Sequence, residues 1–203
     1  MILYEDKRAP NPRRVRIFLA EKSITVETRE VDIMAKQHFA DDMKTLNPFA
    51  RVPFLQLDDG QVISETVAIC RYFEALHPEP NLFGSGALET ARVEMWQRRI
   101  ELELFYTIAQ AFRHSNPYMA ELEVPQVAEW GQANFDRLDD ILTIIDKALA
   151  DREFIVGDNY TIADITALVA IDFMRIIKRQ LTDQHPNFLR WHTSVSARPG
   201  SVA

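Results

Sequence analysis

The sequence predicts a small α/β domain followed by an all-α domain, and three observations carry that expectation. Over residues 1–76, short β-branched or aromatic runs alternate with runs of helical period, the signature of a βαβ unit. Residues 77–88, "HPEPNLFGSGAL", break every period and concentrate proline and glycine, as a linker does. Beyond residue 88 the apolar residues recur at helical spacing throughout. The expected boundaries are 1–78 for the first domain, 79–88 for the linker and 89–203 for the helical domain.

Each element has a local reason. Ile2, Leu3 and Tyr4 read as a buried strand. Residues 12–22 read as a helix with Val15, Phe18, Leu19 and Lys22 along one face. Asn11 ahead of Pro12 reads as an N-cap followed by the preferred first helical residue. Residues 24–33, "ITVETREVDI", are β-branched and roughly alternating, as a half-buried strand should be. A short helix is expected over 36–46. "VPFLQL" and "QVIS" flank Asp58, Asp59 and Gly60, whose Asp-Gly pair signals a hairpin turn. "ETVAICRYFEAL" then closes the unit as a helix, with Ile69, Tyr72, Phe73 and Leu76 expected to face inward. A βαβ unit followed by a hairpin and a helix is the thioredoxin-like arrangement, with a right-handed first crossover. In the second half, Val93, Trp96, Ile100 and Leu104 form one stripe, and Leu138, Ile141, Leu142, Ile145 and Leu149 another. Thr161 and Asp164 stand at capping-box spacing, with Tyr160 and Ile165 positioned as the accompanying hydrophobic staple.

Composition narrows the function. The chain has 203 residues, 47% of them apolar, a net charge of −7 and a single cysteine, Cys70. That balance argues against nonspecific nucleic-acid binding. A lone cysteine excludes an internal disulfide framework and fits a reducing cytoplasm. No apolar window is long enough to span a membrane, and the N-terminus lacks the pattern of a secretory leader. Locally the balance reverses: residues 5–16 hold five basic and two acidic side chains. Such a patch in an acidic protein points to a small anionic ligand rather than a polyanion.

Three stretches carry candidate chemistry. The turn around Asn11 and Pro12 opens a helix, whose unpaired N–H groups and positive dipole end can stabilise a thiolate or carboxylate. Val52 precedes Pro53 immediately before an apolar strand; if that bond is cis, the Val52 backbone is turned out to pair with an extended peptide. Glu65 and Thr66 sit where the last strand enters a helix, where a carboxylate can accept an ammonium group and a hydroxyl can hold a carboxylate. Taken singly, each stretch also reads as ordinary structure: a capped helix, an X–Pro turn, and a cap at Ser64 or Thr66.

In this order and spacing, "NPRRVRIFLAEK", "LNPFARVPFL", "SETVAI" and the "YTIADI" cap resemble the soluble, cytosolic glutathione S-transferases over the whole chain. Bacterial members of theta, zeta and nu type are the nearest in pattern. The resemblance implies the glutathione transferase architecture and a glutathione site. The Val52 backbone, ahead of a cis Pro53, would pair with the cysteinyl unit. Glu65 would meet the γ-glutamyl ammonium, Thr66 the α-carboxylate, and His38 with Arg51 the glycyl carboxylate. One departure stands out. Where theta- and zeta-like members carry Ser and nu-like members Thr against the sulfur, this chain has Ala9. Where beta-like members carry Cys, it has Asn11, as nu-like members do. Asn11 is therefore the implied catalytic residue, its carbonyl capping the helix and its amide donating to sulfur. Tyr106, Phe112, His114 and Tyr118 are the implied acceptor-site residues, on the helical side of an interdomain cleft. Cys70 is expected to be structural.

The activity so implied is conjugation of glutathione, as a co-substrate thiolate, to a small electrophile in detoxification. The protein would be a cytoplasmic homodimer without metal, nucleic-acid or membrane partners. A glutathione-dependent disulfide reductase of nu type, acting on a disulfide substrate, is one alternative. A non-catalytic, protein-binding regulator resembling the stringent starvation regulators is the other.

Overall fold

In the computed structural model, which describes residues 1–203, the alternating first part becomes a four-stranded sheet of order β2-β1-β3-β4 with helices between its strands. The elements run β1 (Ile2–Glu5), α1 (Pro10–Glu21), β2 (Glu27–Glu30), α2 (Asp41–Leu46), β3 (Phe54–Gln56), β4 (Val62–Ser64) and α3 (Thr66–Leu76). β1 pairs parallel with β2 and antiparallel with β3, which pairs antiparallel with β4. The Asp-Gly hairpin turn forms as expected, with Gly60 at φ 87°. One face of the sheet buries Tyr4, Val31, Val52 and Phe54, and the Tyr4 and Phe54 rings stack with centroids 4.4 Å apart. Leu3 and Leu55 point to the opposite face, as the two-residue strand period requires, and are fully buried.

Three expectations for this unit are corrected. The second strand spans only Glu27–Glu30 and is exposed along its length, not half-buried. As an edge strand it pairs on one side only, and charged residues there keep the open edge from recruiting another chain. In α3 the buried stripe is Thr66, Ile69, Cys70 and Phe73. At 100° per residue, Tyr72 lies roughly 110° from the centre of that stripe, and Leu76, the last residue of the helix, is 50% exposed. Helix α1 begins at Pro10 rather than at Pro12, and its N-cap is Ala9, not Asn11. Proline is as well suited to N1 at position 10 as at position 12, and the Ala9 N–H is satisfied by the Asp6 carbonyl at 3.0 Å.

The remaining chain is helical: α4 (Gly86–Arg99), α5 (Tyr106–Ser115), α6 (Ala128–Ala148), α7 (Ile162–Phe173) and α8 (Pro186–Ser196). A π-helical turn at Ile100–Phe105 joins α4 to α5. Helix α7 is buried all round from Ile162 to Ile171 and forms the core of this unit. Its capping box is complete: the Thr161 side chain accepts from the Asp164 N–H while Asp164 accepts from the Thr161 N–H. Asp164 also accepts from the Ile155 N–H at 2.8 Å and the Trp191 indole at 2.9 Å. Tyr160 and Ile165, the expected staple pair, are both buried. No helix is long and apolar enough to cross a membrane.

The chain divides into two compact units, Met1–Leu82 with Arg198–Ala203, and Phe83–Ala197. Residues 198–203, expected within the helical domain, thus belong to the first unit. Long-range partners draw them there: Arg198 pairs with Glu21, and Arg13 donates to the Ser201 carbonyl.

Candidate functional site

Strand register assembles the site. Tyr4 pairs with Phe54, and Phe54 with Ser64, so these three residues form one row across the sheet. Neighbouring strands are about 4.8 Å apart, so the row is roughly 10 Å wide. The chain leaves this row into the turn before α1, enters it from Val52 and Pro53, and leaves it again at Glu65 and Thr66. Three motifs scattered over more than fifty residues of sequence meet at one end of the sheet. His38 joins them through the segment after β2, because the Val31 N–H bonds the Glu5 carbonyl and the Ile33 N–H bonds Asp6.

The first turn of α1 is shaped by subtraction. A helix leaves its first four N–H groups without an intrahelical acceptor. Here those positions are Ala9, Pro10, Asn11 and Pro12. The prolines have no N–H and Ala9 is spent on Asp6. Asn11 therefore supplies the one open backbone donor. Its side chain does not cap the helix, contrary to expectation: the carbonyl accepts from Arg14 Nη1 at 3.1 Å. With the oxygen held by a buried arginine, the amide group is the outward donor.

The basic run is employed internally. Arg8 pairs with Asp6 at 2.8 Å and Asp32 at 2.6 Å, and Arg16 with Glu5 at 2.5 Å. Arg13 reaches Ser201 and Arg14 reaches Asn11. Two of these arginines meet carboxylates and two meet neutral oxygens, so the run is held in place by the fold. Asp6, which the motif reading passed over, organises this turn. Burial raises its pKa, but hydrogen bonds from the Arg8 side chain, the Ile33 N–H and the Arg8 N–H outweigh that and hold it at about 2.

Around the second motif the Val52–Pro53 bond is cis. Asn47, also absent from the motif reading, is buried and braces the loop. Its amide donates to the Arg51 carbonyl at 2.9 Å, and its oxygen accepts from the Phe49 N–H at 3.3 Å. Arg51 is exposed. His38 is buried rather than solvated, and its Nδ1 has no partner. Burial, reinforced by the positive charge of Arg51, lowers its pKa and favours the neutral ring.

At the third motif Glu65 has φ 70° and ψ 122°, outside the regions that L-residues ordinarily occupy, and it is the N-cap of α3 without a side-chain capping bond. Holding a non-glycine residue there costs roughly 1–3 kcal/mol. Its carboxylate is exposed, while Thr66 beside it is buried at the helix start.

In the helical unit the four acceptor candidates separate. Phe112 packs edge-on against Phe173 with centroids 5.6 Å apart. His114 is buried, and its Nδ1 accepts the Val127 N–H at 3.0 Å. Tyr106 and Tyr118 are exposed, the latter at 80%. Cys70 is fully buried within α3. No cluster of three metal-ligating side chains occurs.

Comparison with known proteins gives this arrangement a family. Residues 9–76 match the glutathione S-transferase N-terminal domain and residues 105–199 the C-terminal domain. Glutathione S-transferase 2 of Saccharomyces cerevisiae is 33% identical, over 98% of this chain and 87% of its own length. The crystal structure of Gtt2 from Saccharomyces cerevisiae superposes with a TM-score of 0.95 at 33% identity, covering 100% of this chain and 99% of that one. A glutathione S-transferase domain-containing protein from Marinobacter aquaeolei VT8 gives 0.95 at 34% identity, over 99% and 100% of the two chains. The chain belongs to the glutathione S-transferase family of enzymes.

Proposed function

We propose that the protein binds glutathione across the Tyr4–Phe54–Ser64 end of its sheet and transfers it, as a thiolate, to a small electrophile. The observation that carries this reading is Glu65, a charged residue kept in a strained conformation with its carboxylate open to solvent. Strain of that kind persists where the surroundings impose it, and it clusters at ligand sites. In this reading Glu65 accepts the γ-glutamyl ammonium, and Thr66 with the uncapped start of α3 holds the neighbouring carboxylate. The Val52 backbone pairs with the cysteinyl unit, while neutral His38 and Arg51 meet the glycyl carboxylate.

Asn11 would be the catalytic contact, its amide and its backbone N–H both donating to sulfur. A hydrogen bond to a charged group contributes roughly 1.5–3 kcal/mol, and a helix terminus roughly 0.3–1 kcal/mol. Lowering a thiol pKa by two units requires about 2.7 kcal/mol, which lies within the roughly 1.8–4 kcal/mol the two contributions span without a hydroxyl at Ala9. The thiolate then attacks the electrophilic carbon; the carbon–sulfur bond forms as the leaving group departs with its electron pair. Tyr106 and Tyr118 are the acceptor-site candidates with surface to offer, and Phe112 and His114 support them from the interior.

A homodimer in a reducing cytoplasm completes the reading. Phe49 is 79% exposed and Leu76 50% exposed, apolar surface on the first unit that a second copy would cover. The decisive experiment is calorimetric titration with glutathione, followed by turnover assays with an activated aryl halide and with a small disulfide. Binding with aryl-halide turnover supports the transferase. Binding with disulfide turnover alone selects the reductase, and absence of binding returns the chain to a regulatory role.

A further inference from the structure

We propose that residues 198–201 clasp α1 and hold its first turn in register with the sulfur of bound glutathione, making Arg198, Glu21 and Arg13 positioning residues; this inference rests on the site reading above. The clasp has two anchors on one helix. At the C-terminal end, Arg198 grips Glu21 with both edges of its fork, Nε to Oε1 at 3.1 Å and Nη2 to Oε2 at 2.6 Å. At the N-terminal end, Arg13 Nη2 donates to the Ser201 carbonyl at 3.0 Å. The two anchor points are about 12 Å apart along the helix. Between them the segment is closed on itself: the Ser201 N–H and hydroxyl both donate to the Arg198 carbonyl, at 3.0 and 2.7 Å.

The fit admits no slack. A Cβ on Gly200 would come within 2.7 Å of Glu21 Oε1. Ser201 is 4% exposed, and the Glu21 side chain 8%. Holding the C-terminal end of α1 would not by itself require the Arg198–Glu21 anchor. The C-terminal end of α1 is already secured by Lys22, whose ammonium donates to the His77 and Pro80 carbonyls, each at 2.7 Å. The tie through Arg13 lands on the opposite end, two residues from Asn11. A helix free to slide or rotate there would carry both Asn11 donors away from the sulfur while leaving the rest of the glutathione site, on other elements, undisturbed.

The test compares wild type with Gly200→Ala and with the double variant Glu21→Gln/Arg198→Gln, which removes both charges and leaves neither ion buried alone. Arg198→Lys is the conservative control. The thiolate of bound glutathione is titrated by its absorbance, and affinity is measured with S-methylglutathione, which has no thiol to ionise. The expected result is a thiolate fraction at neutral pH lowered roughly two- to five-fold, the scale of a lost helix-terminus contribution. S-methylglutathione affinity should be unchanged, and Arg198→Lys should recover part of the loss. Variants that titrate like wild type, or that lose S-methylglutathione affinity in the same proportion, overturn the clasp while leaving the site reading intact. Amide exchange reads the clasp without ligand. Exchange of Arg13 and Arg14, the first amides bonded within the helix, should quicken relative to the sheet amides, and uniform quickening overturns the inference. A wild type that binds no glutathione defeats the site reading instead, and exchange then decides the clasp alone.

Discussion

Two helix starts in this molecule solve the same problem in opposite ways. Helix α7 opens with a reciprocal cap: Thr161 and Asp164 cap each other, and Asp164 gathers further bonds from Ile155 and Trp191 in full burial. Helix α1 opens on Ala9, which caps nothing, and two prolines remove donors rather than satisfy them. Helix α3 likewise begins without a side-chain cap, behind a strained Glu65. An uncapped start forgoes roughly 0.5–2 kcal/mol. Helices α4, α6 and α8 also begin without a side-chain cap, so α7, at the core, is the exception. The open starts of α1 and α3 differ from those in lying at the end of the sheet where the candidate ligand groups gather.

The largest effect that would sharpen this contrast is at the closed terminus. Asp164→Ala strands donors from Thr161, Ile155 and Trp191 in the core and should destabilise the protein by roughly 3–5 kcal/mol. Denaturant unfolding measures it; a loss below about 1 kcal/mol would mean the network is replaceable and the contrast with α1 is empty.

At the open start of α3 the expected sign is reversed. Glu65→Gly relieves the positive φ and should stabilise the unliganded protein by about 1 kcal/mol. It should also weaken glutathione binding by about 1.5–3 kcal/mol through loss of the charged contact. Parallel unfolding and calorimetry test both; a variant that binds as wild type removes Glu65 from the site.

Acid pH probes two of the buried carboxylates, Asp6 and Asp164, against each other. Asp6 has its pKa lowered from 3.8 to about 2, so its contribution is present above 3.8 and is lost as pH falls toward 2. With solvent screening allowed for, that is about 1–2 kcal/mol. Burial pushes Asp164 the other way, up to about 6, so its contribution is greatest below 3.8 and declines as pH rises through 6. Stability of Asp6→Asn between pH 2 and 4 should therefore vary less steeply than that of wild type. An unchanged slope would show that the Arg8 and Ile33 bonds to Asp6 contribute little.

The smallest effect is at α1 itself. Asn11→Ala should raise the pKa of bound glutathione by about one unit through loss of the amide donor, and Ala9→Ser should lower it. If the thiolate titration is the same in both variants, the Asn11 backbone N–H is sufficient by itself.

How much of this was readable in advance depends on how far apart the interacting groups lie along the chain. The capping box was legible because Thr161 and Asp164 are one turn apart and the interaction is local. The Asp-Gly hairpin was legible for the same reason, whereas the cis Val52–Pro53 bond was implied only by the family resemblance, since few X–Pro bonds are cis. The start of α1 was misread by two residues: either proline can begin a helix, and the choice is made by the Asp6 carbonyl capturing the Ala9 N–H. The π-helical turn after Arg99 passed unseen, because six residues do not separate its period from that of an α-helix. The burial of His38 is set by tertiary packing that no local pattern announces.

By itself the sequence determined the two-part architecture and the strand and helix order of the first unit, and it proposed the residues of the candidate site. Each of these is written in local propensity, turn chemistry or short-range spacing, which require no distant partner. Tertiary structure alone decided that β2 is an exposed edge, that the basic run is paired internally and that Asp6 and Asn47 brace the site. It also decided that residues 198–203 return to α1. The Arg198–Glu21 pair spans 177 residues of sequence. At that separation no local pattern favours one partner over another, and only the return of the last residues to α1, where the Glu21 side chain is buried, selects the pair.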